Sequence, residues 1–283
     1  MHSTNSVCIV TGANSGIGLA TTIGLAKDGH RVVMACRDLE KSAPALQRAR
    51  ERSGSAQIEL MPLDLSSQQS IREFSETFLK THDRLDVLVN NAGVMPNKWT
   101  GTTEGLEAQF GVNHIGHFLL TNLLLGCLKA SAPSRVVVVS SIMHHHGEIE
   151  FDDIDLKDTY SMLGAYGRSK FANVLFSNEL ARRLEGTGVT CNSLHPGVVN
   201  TAITRDVPFY YKPFVKLGGL FLMNPEKGAA TSLYLATSPE VEGISGKFFS
   251  DCRERNSSEQ SKDRALALQL WDLSEQLSGI SSN

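Results

Sequence analysis

Residues 11–18 read TGANSGIG, and they lie between an apolar run at 7–10 and a segment with helical periodicity. Gly12, Gly16 and Gly18 allow a tight turn and a close approach of the backbone to a ligand. A strand, a glycine-rich turn and a helix N-terminus together predict a pyrophosphate site, because the free N–H groups and the helix dipole attract anions. For three glycines taken alone, the alternative is an incidental turn.

The rest of the chain alternates short apolar runs with longer segments of helical periodicity, which is typical of βαβ units. Continuous apolar runs favour parallel strands, because helices cover both faces of such a sheet. We therefore predict one doubly wound α/β domain over residues 1–283, with a seven-stranded parallel sheet flanked by helices. The predicted strands are 7–10, 32–36, 58–61, 85–90, 136–140, 189–194 and 247–250. The predicted helices are about 16–28, 39–53, 67–82, 104–130, 160–184, 225–237 and 259–277.

A few residues predict where these elements begin and end. Asp64 and Ser66 are suited to cap the start of a helix, and Gly29 lies where the first helix should stop. The segment 196–224 interrupts the alternation with several prolines and a glycine pair, so we interpret it as an insertion on the substrate side.

The composition excludes several classes of protein. Lys and Arg total 27 against 30 Asp and Glu, a net charge of −3, which argues against a nucleic-acid binder. With 41% hydrophobic and 20% charged residues, the chain is typical of a globular protein and not of a disordered one. The five cysteines are scattered without a CxxC pair, so we expect free thiols in a reducing compartment.

Two segments bear on secretion and on membranes. Residues 1–6 leave no room for the basic region and apolar core of a signal peptide, so we expect an intracellular protein, cytoplasmic or peripherally membrane-associated. No apolar run reaches the length of about 18 residues that predicts a spanning helix. The aromatic segment 207–223, VPFYYKPFVKLGGLFLM, is either a lid over the cleft or a surface for a membrane or a lipophilic substrate.

The second predicted strand ends in VVMACRD, where the adenosine ribose of a dinucleotide would lie. NAD-preferring sites place an acidic residue there, whereas this strand tip offers Cys36 and then Arg37. A guanidinium suits a 2′-phosphate because its fork makes bidentate charge-assisted bonds, so we predict NADP(H). The alternatives are that Asp38 accepts the ribose hydroxyls, or that Arg37 is only a solvated charge.

Tyr166 and Lys170 lie four residues apart in a segment of helical periodicity, which places them on one face of a helix. A phenol with a pKa of about 10 is a poor base at neutral pH unless a cation stabilises its phenolate. A neighbouring ammonium can do so, and this gives the pair the chemistry of a general acid/base. Taken alone, the same spacing is more often a surface pair.

With these residues the sequence resembles the short-chain dehydrogenase/reductase family. The resemblance covers nearly the whole chain, from TGANSGIG through NNAG at 90–93 and the serine pair at 140–141 to YGRSK at 166–170 and HPG at 195–197. It implies a Rossmann-type fold and nicotinamide-dependent oxidoreduction, in which hydride transfer accompanies acid/base catalysis by Tyr166.

The resemblance also implies a role for each matching position. Lys170 would lower the pKa of Tyr166 and hold the nicotinamide ribose, and Ser141, rather than Ser140, would orient the substrate carbonyl. Asn113 would anchor a water of the proton relay. The implied cofactor-binding residues are Gly12, Asn14, Ser15, Gly16, Ile17, Gly18, Arg37, Asp64, Leu65, Asn90, Ala92, Gly93, Tyr166, Lys170, Pro196, Gly197, Val199 and Thr201.

A narrower resemblance, to the retinol dehydrogenase branch, rests on ACRD at 35–38, NNAGVM at 90–95, NHIGHFLLT at 113–121, SSIMHHHG at 140–147, LARRLEGTGV at 180–189 and FSDC at 249–252. It implies a lipophilic alcohol, retinol-like, or its aldehyde or ketone as substrate. The helices predicted at 104–130 and 160–184 resemble the pair that forms dimers in the family, which implies a homodimer. The alternative function is a cofactor-binding redox sensor or interaction subunit, which would have no need of the catalytic residues.

The histidine tract 144–146 begins three residues after Ser141. No cysteine or acidic residue accompanies it at ligand spacing, so we expect no metal site. We expect these histidines to line the mouth of the substrate site.

Overall fold

Eight strands form one sheet in the part of the chain that the structure describes, residues 6–197 and 224–280 of a computed structural model. They are β1 Val7–Thr11, β2 Arg31–Cys36, β3 Ile58–Pro62, β4 Val87–Asn90, β5 Ser134–Val139, β6 Val189–His195, β7 Phe248–Ser250 and β8 Arg253–Arg255. Their order is β3-β2-β1-β4-β5-β6-β7-β8, and every neighbouring pair except β7 and β8 is parallel. The predicted α/β fold with a parallel sheet is confirmed.

The sheet has one strand more than the seven that the sequence predicts. The additional strand, β8, is exposed along its whole length and pairs antiparallel with β7 at the edge of the sheet. Asp251 and Cys252 turn the chain between them, with φ of 53° and 57°. A charged edge strand buries neither face, so it has no apolar periodicity by which the sequence could reveal it.

Helices cover both faces of the sheet. They are α1 Gly16–Lys27, α2 Leu39–Ser53, α3 Gln68–Thr81, α4 Ala108–Phe110, α5 Gly116–Ala130, α6 Met162–Arg183, α7 Pro225–Thr237 and α8 Arg264–Ser278. The helix predicted at 104–130 starts later, at Ala108, and a π-helical turn, Gly111–Ile115, separates α4 from α5. Such turns are rare and often occur at functional sites.

The start of α3 also differs from the prediction. The hydroxyl of Ser67 caps the helix by accepting the N–H of Ser70 at 3.3 Å. Asp64 instead accepts the backbone N–H of Ser66 at 2.9 Å and its hydroxyl at 2.6 Å. Because this local turn satisfies the carboxylate, the cap moves to the next free hydroxyl. Gly29 follows the end of α1 with a φ of 87°, as expected of a helix stop.

Alternating residues of the central strands contribute to two separate cores. Ile9 and Leu88 pack on the side of α3, α5, α6 and α8, whereas Val10 and Val89 pack on the side of α1, α2 and α7. Because β1, β4, β5 and β6 are parallel, their carboxyl ends lie at the same edge of the sheet. The strand order reverses between β1 and β4, and such a reversal is where doubly wound sheets bind their ligands.

Residues 198–223, which include most of the predicted insertion and all of the aromatic segment 207–223, lie outside the described residues. In the two described ranges, no helix combines the length and the apolar content needed to cross a bilayer. The five cysteines, all in described segments, are free thiols, as predicted.

Candidate active site

The glycine turn forms a close-fitting cradle at the carboxyl end of β1. Gly12 and Gly16 have φ of 63° and 52°, which side chains rarely adopt. A Cβ at Gly18 would lie 2.6 Å from Asn91 Nδ2 and would also collide with the carbonyl oxygen of Gly12. Ser15 is the cap residue of α1, but its side chain makes no hydrogen bond to the helix. The first N–H groups of α1, which face the cradle, are therefore not capped by Ser15. This is the geometry that a bound pyrophosphate requires.

The turn after β4 is bonded directly to this cradle. Thr11 Oγ1 accepts the backbone N–H groups of Asn91 and Ala92, both at 2.9 Å, and Asn91 Nδ2 donates to the carbonyl of Thr11 at 2.8 Å. Asn90 points elsewhere, since its buried side chain donates to Thr121 Oγ1 of α5 at 2.9 Å. Thr11 and Asn91 were not among the predicted site residues, because their role depends on contacts about eighty residues apart in the chain.

The tip of β2 lies beside the cradle. Arg37 is exposed, and among the described residues its guanidinium has no hydrogen-bond or ion-pair partner. Asp38 is engaged in capping α2: its carboxylate accepts the N–H of Lys41 at 3.0 Å and pairs with Lys41 Nζ at 2.7 Å. The backbone amides of Ala13 and Asn14, within the glycine turn, bond to the thiol of Cys36, whose pKa is nevertheless raised, chiefly by burial.

Asp64 and Leu65 follow β3 on the same edge of the sheet. The side chain of Leu65 is buried in the core, while the Asp64 carboxylate stays half-buried in its local turn. A Cβ at Gly116 would lie 2.7 Å from the carbonyl oxygen of Leu65, so the start of α5 fits closely against this turn.

Tyr166 and Lys170 both lie on α6, as predicted, and Lys170 Nζ is 5.6 Å from the centre of the Tyr166 ring. The ammonium donates to the carbonyl of Val139, at the end of β5, at 3.0 Å. Burial lowers the pKa of Lys170 to about 8. Burial raises the pKa of Tyr166 to about 12, and a hydrogen bond with Ser141 opposes this shift. Stabilisation of the phenolate by Lys170 stays a prediction, since a backbone carbonyl now holds the ammonium.

The two serines after β5 differ in what their hydroxyls contact. Ser140 donates to the carbonyl of Lys170 at 2.7 Å and is fully committed to α6. Ser141 Oγ accepts the N–H of Met143 at 3.2 Å and hydrogen-bonds to Tyr166, so its hydroxyl faces the tyrosine side chain and not a backbone carbonyl. The geometry therefore favours Ser141 over Ser140 as a donor to a substrate oxygen.

Asn113 lies in the π-helical turn and is completely buried. Its Oδ1 accepts the N–H of Val94 at 2.8 Å, and its Nδ2 donates to Ser169 Oγ at 3.0 Å. A Cβ at Gly93 would lie 3.4 Å from Asn113 Oδ1 and 3.6 Å from Lys170 Nζ, so these three residues converge. The side chain thus has direct protein partners, and its role as a water anchor stays a prediction.

One histidine of the tract 144–146 does not lie where the sequence suggests. His144 is fully buried, donates from Nδ1 to the carbonyl of Ser141 at 2.6 Å, and accepts the N–H of Ser258 at Nε2 at 3.1 Å. Only His145 and His146 are exposed. The expectation that the whole tract lines the mouth of the substrate site is therefore wrong for His144, because its ring is buried and hydrogen-bonded to two backbone groups.

The remaining predicted residues follow β6. His195 lies at its end, Pro196 comes next, and Gly197 has a φ of 83°. Val199 and Thr201 lie outside the described residues. Two apolar side chains near Tyr166 and Lys170 remain open to solvent: Ile142, next to Ser141, is 48% exposed, and Leu163, one turn before Tyr166, is 45% exposed.

Comparisons with known proteins agree with this arrangement. Residues 6–209 match the sequence model of the family described as short chain dehydrogenase. Retinol dehydrogenase 14 of Homo sapiens is 48% identical over 288 residues, which cover 96% of this chain and 86% of that protein.

Solved structures share the fold. The crystal structure of an uncharacterised protein from Mycobacterium paratuberculosis has a TM-score of 0.79 and 34% identity, covering 98% of this chain and 94% of that one. A variant of actinorhodin polyketide ketoreductase, solved with NADPH, has a TM-score of 0.70 and 26% identity, with coverages of 88% and 97%. The glycine cradle, the Tyr166–Lys170 pair on α6 and these matches lead to one conclusion: the chain belongs to the short-chain dehydrogenase family of oxidoreductases.

Proposed function

We propose that this protein is an NADP(H)-dependent oxidoreductase that interconverts a lipophilic, retinol-like alcohol and its aldehyde or ketone. The observation that carries the proposal is the convergence of Ser141, Tyr166 and Lys170 at the carboxyl edge of the sheet, beside the glycine cradle. A hydroxyl donor, a proton donor and a cation next to a dinucleotide cradle supply the groups that a carbonyl reduction can use.

The chain offers a fitting site for the cofactor. A Cβ at Gly12 or Gly18 would meet neighbouring atoms at 3.0 Å or closer, which leaves room there for a ligand but not for a side chain. The Arg37 guanidinium, which has no partner among the described residues, stands at the strand tip where we expect a 2′-phosphate to bind. Asp38 is occupied by its cap to α2, which leaves Arg37 as the charged group at this tip. The solved ketoreductase with NADPH is consistent with the same choice of cofactor. When bound, the nicotinamide supplies or accepts the hydride.

The protein's own residues would handle the proton and the substrate oxygen. Ser141 donates its hydroxyl hydrogen to the carbonyl oxygen, and Tyr166 delivers a proton to the same oxygen during reduction. In oxidation the proton moves back to the Tyr166 oxygen, and the ammonium of Lys170 stabilises the phenolate. The exposed side chains of Ile142 and Leu163 would contact an apolar substrate next to the reacting oxygen.

The test compares the native protein with Tyr166→Phe, using retinal, a steroid ketone and medium-chain aldehydes, each with NADPH and with NADH. We expect NADPH consumption with at least one lipophilic carbonyl, and a loss of about two to four orders of magnitude in Tyr166→Phe. Equal turnover by both proteins would remove Tyr166 from the chemistry. Cofactor binding without any turnover would favour the redox sensor instead.

A further inference from the structure

A buried histidine connects the cofactor side of the site to the catalytic helix. His117 lies on α5, with Nδ1 at 3.0 Å from the carbonyl oxygen of Asn113 and Nε2 at 2.8 Å from Thr11 Oγ1. All three residues are at most 1% exposed. None of the sequence motifs assigned a role to this histidine.

The partners determine which ring nitrogen carries the hydrogen. A carbonyl oxygen only accepts, so Nδ1 of His117 must be the donor toward Asn113. Burial lowers the pKa of His117 to about 4, and the ring is therefore neutral at pH 7. Nε2 is then an acceptor, and the hydroxyl of Thr11 donates to it.

This bond fixes the orientation of the Thr11 hydroxyl. Its hydrogen goes to His117 Nε2 at 2.8 Å, because the other acceptor in reach, the carbonyl of Val89, is 3.4 Å away. Its lone pairs are then free for the N–H groups of Asn91 and Ala92. His117 thus acts on the turn that closes the glycine cradle.

The other end of the imidazole acts on the catalytic helix. The carbonyl of Asn113 is held by His117, and the side chain of Asn113 bonds to Val94 and to Ser169, the neighbour of Lys170. A continuous hydrogen-bonded path therefore runs from the cradle to α6. In such buried networks, every member restricts the geometry of its neighbours.

We propose that His117 is a positioning residue, which holds the glycine cradle and the Lys170 helix in one relative orientation through Thr11 and Asn113. This inference rests on the proposed function, since the cradle matters only if a dinucleotide occupies it. Two measurements, of the ring's protonation and of cofactor affinity, require no substrate and are therefore independent of the turnover test.

The first measurement uses the native protein with ¹⁵N-labelled histidine, with the His117 resonances assigned from their loss in His117→Asn. We expect the imidazole to carry its hydrogen on Nδ1 and to remain neutral at pH 6. A hydrogen on Nε2, or a charged ring at this pH, would contradict the path through Thr11.

The second measurement is NADPH affinity in three variants. His117→Asn keeps a donor near the Asn113 carbonyl, His117→Gln keeps an acceptor near Thr11, and His117→Leu keeps neither. We expect His117→Leu to weaken NADPH binding about tenfold and the two amides to weaken it less. When Thr11→Val is added to His117→Leu, it should weaken NADPH binding less than Thr11→Val does alone, because both substitutions interrupt the same hydrogen-bonded path.

His114 provides the matched control. It is buried on the preceding π-helical turn, but its Nε2 contacts Ser274 Oγ of α8 at 2.9 Å, away from the cradle. We expect His114→Gln to lower the melting temperature while NADPH affinity stays within about twofold of native. Equal losses in His114→Gln and His117→Leu would overturn the proposal, as would unchanged affinity in both amide variants. If His117→Leu does not fold, the NADPH affinities of His117→Asn and His117→Gln test the proposal instead.

Discussion

The ammonium of Lys170 and the ring of Tyr166 lie 5.6 Å apart, and burial makes each of them reluctant to carry charge. The pKa of Tyr166 stands at about 12 in this environment, so a phenolate needs help from a cation. In Lys170→Ala we expect alcohol oxidation to fall by about two to four orders of magnitude and its half-maximal pH to rise. Rate measurements from pH 6 to pH 10 on native and variant protein check this. A near-native rate and pH profile would remove Lys170 from the mechanism.

At the tip of β2, we expect the choice of cofactor to depend on Arg37. A charge-assisted contact with a 2′-phosphate is worth about 1.5–3 kcal/mol, or roughly ten- to a hundredfold in affinity. We expect Arg37→Ala to lose this factor for NADPH and to leave NADH binding nearly unchanged, as measured by fluorescence titration. Asp38→Asn is the control, because asparagine still caps α2. Equal affinity of the native protein for both cofactors would point to Asp38 as the ribose ligand.

Among the elements, the short helix Ile142–His146 and α6 approach each other at Gly147 and Gly167. We expect this contact to set the distance between Ser141 and Tyr166. A Cβ at Gly147 would collide with the carbonyl oxygen of Gly167 and lie 2.6 Å from its carbonyl carbon. In Gly147→Ala the two helices must separate, and misplacement by about 1 Å can cost a hundredfold in rate. We expect at least a tenfold loss in kcat while NADPH affinity is retained.

The control for this prediction is a glycine with free space around it. A Cβ at Gly126 on α5 would meet no atom of another described segment within 4 Å. Gly126→Ala should therefore leave the rate unchanged and stabilise the helix by about 0.5–1 kcal/mol. If Gly147→Ala were as active as Gly126→Ala, the spacing of the two helices would not control catalysis.

For the whole molecule, three buried histidines link stability to pH. Burial lowers the pKa of His114 to about 3, and of His117 and His144 to about 4, from about 6.5 in the unfolded chain. The unfolded state therefore binds more protons below pH 6.5, and stability falls as the pH drops from 6.5 toward 4. We expect a loss of about 1 kcal/mol per histidine per pH unit near pH 5.

Urea unfolding at pH 7.5, 6 and 5 measures this dependence. His114→Gln lacks one of the three groups, so its unfolding free energy should change less steeply between pH 6 and 5. A native stability that stays flat over this interval would show that these rings are not held neutral by the fold.

The sequence by itself determined what depends on neighbours along the chain. The apolar runs set β1 to β7, the glycine spacing set the turn before α1, and the interval of four residues placed Tyr166 and Lys170 on one face of α6. The period of apolar residues and the spacing of functional residues are local properties of the chain, so both can be predicted from the sequence.

Only the tertiary structure decided which polar groups are already bonded. It engages Asp38 in a cap, commits Ser140 to α6, turns His144 inward and joins Thr11 to His117 across 106 positions of sequence. The strand β8 and the π-helical turn at Asn113 likewise depend on partners supplied by other segments. A hydrogen bond between distant segments forms only where packing brings donor and acceptor together. A local pattern of residues therefore cannot predict which groups will be paired.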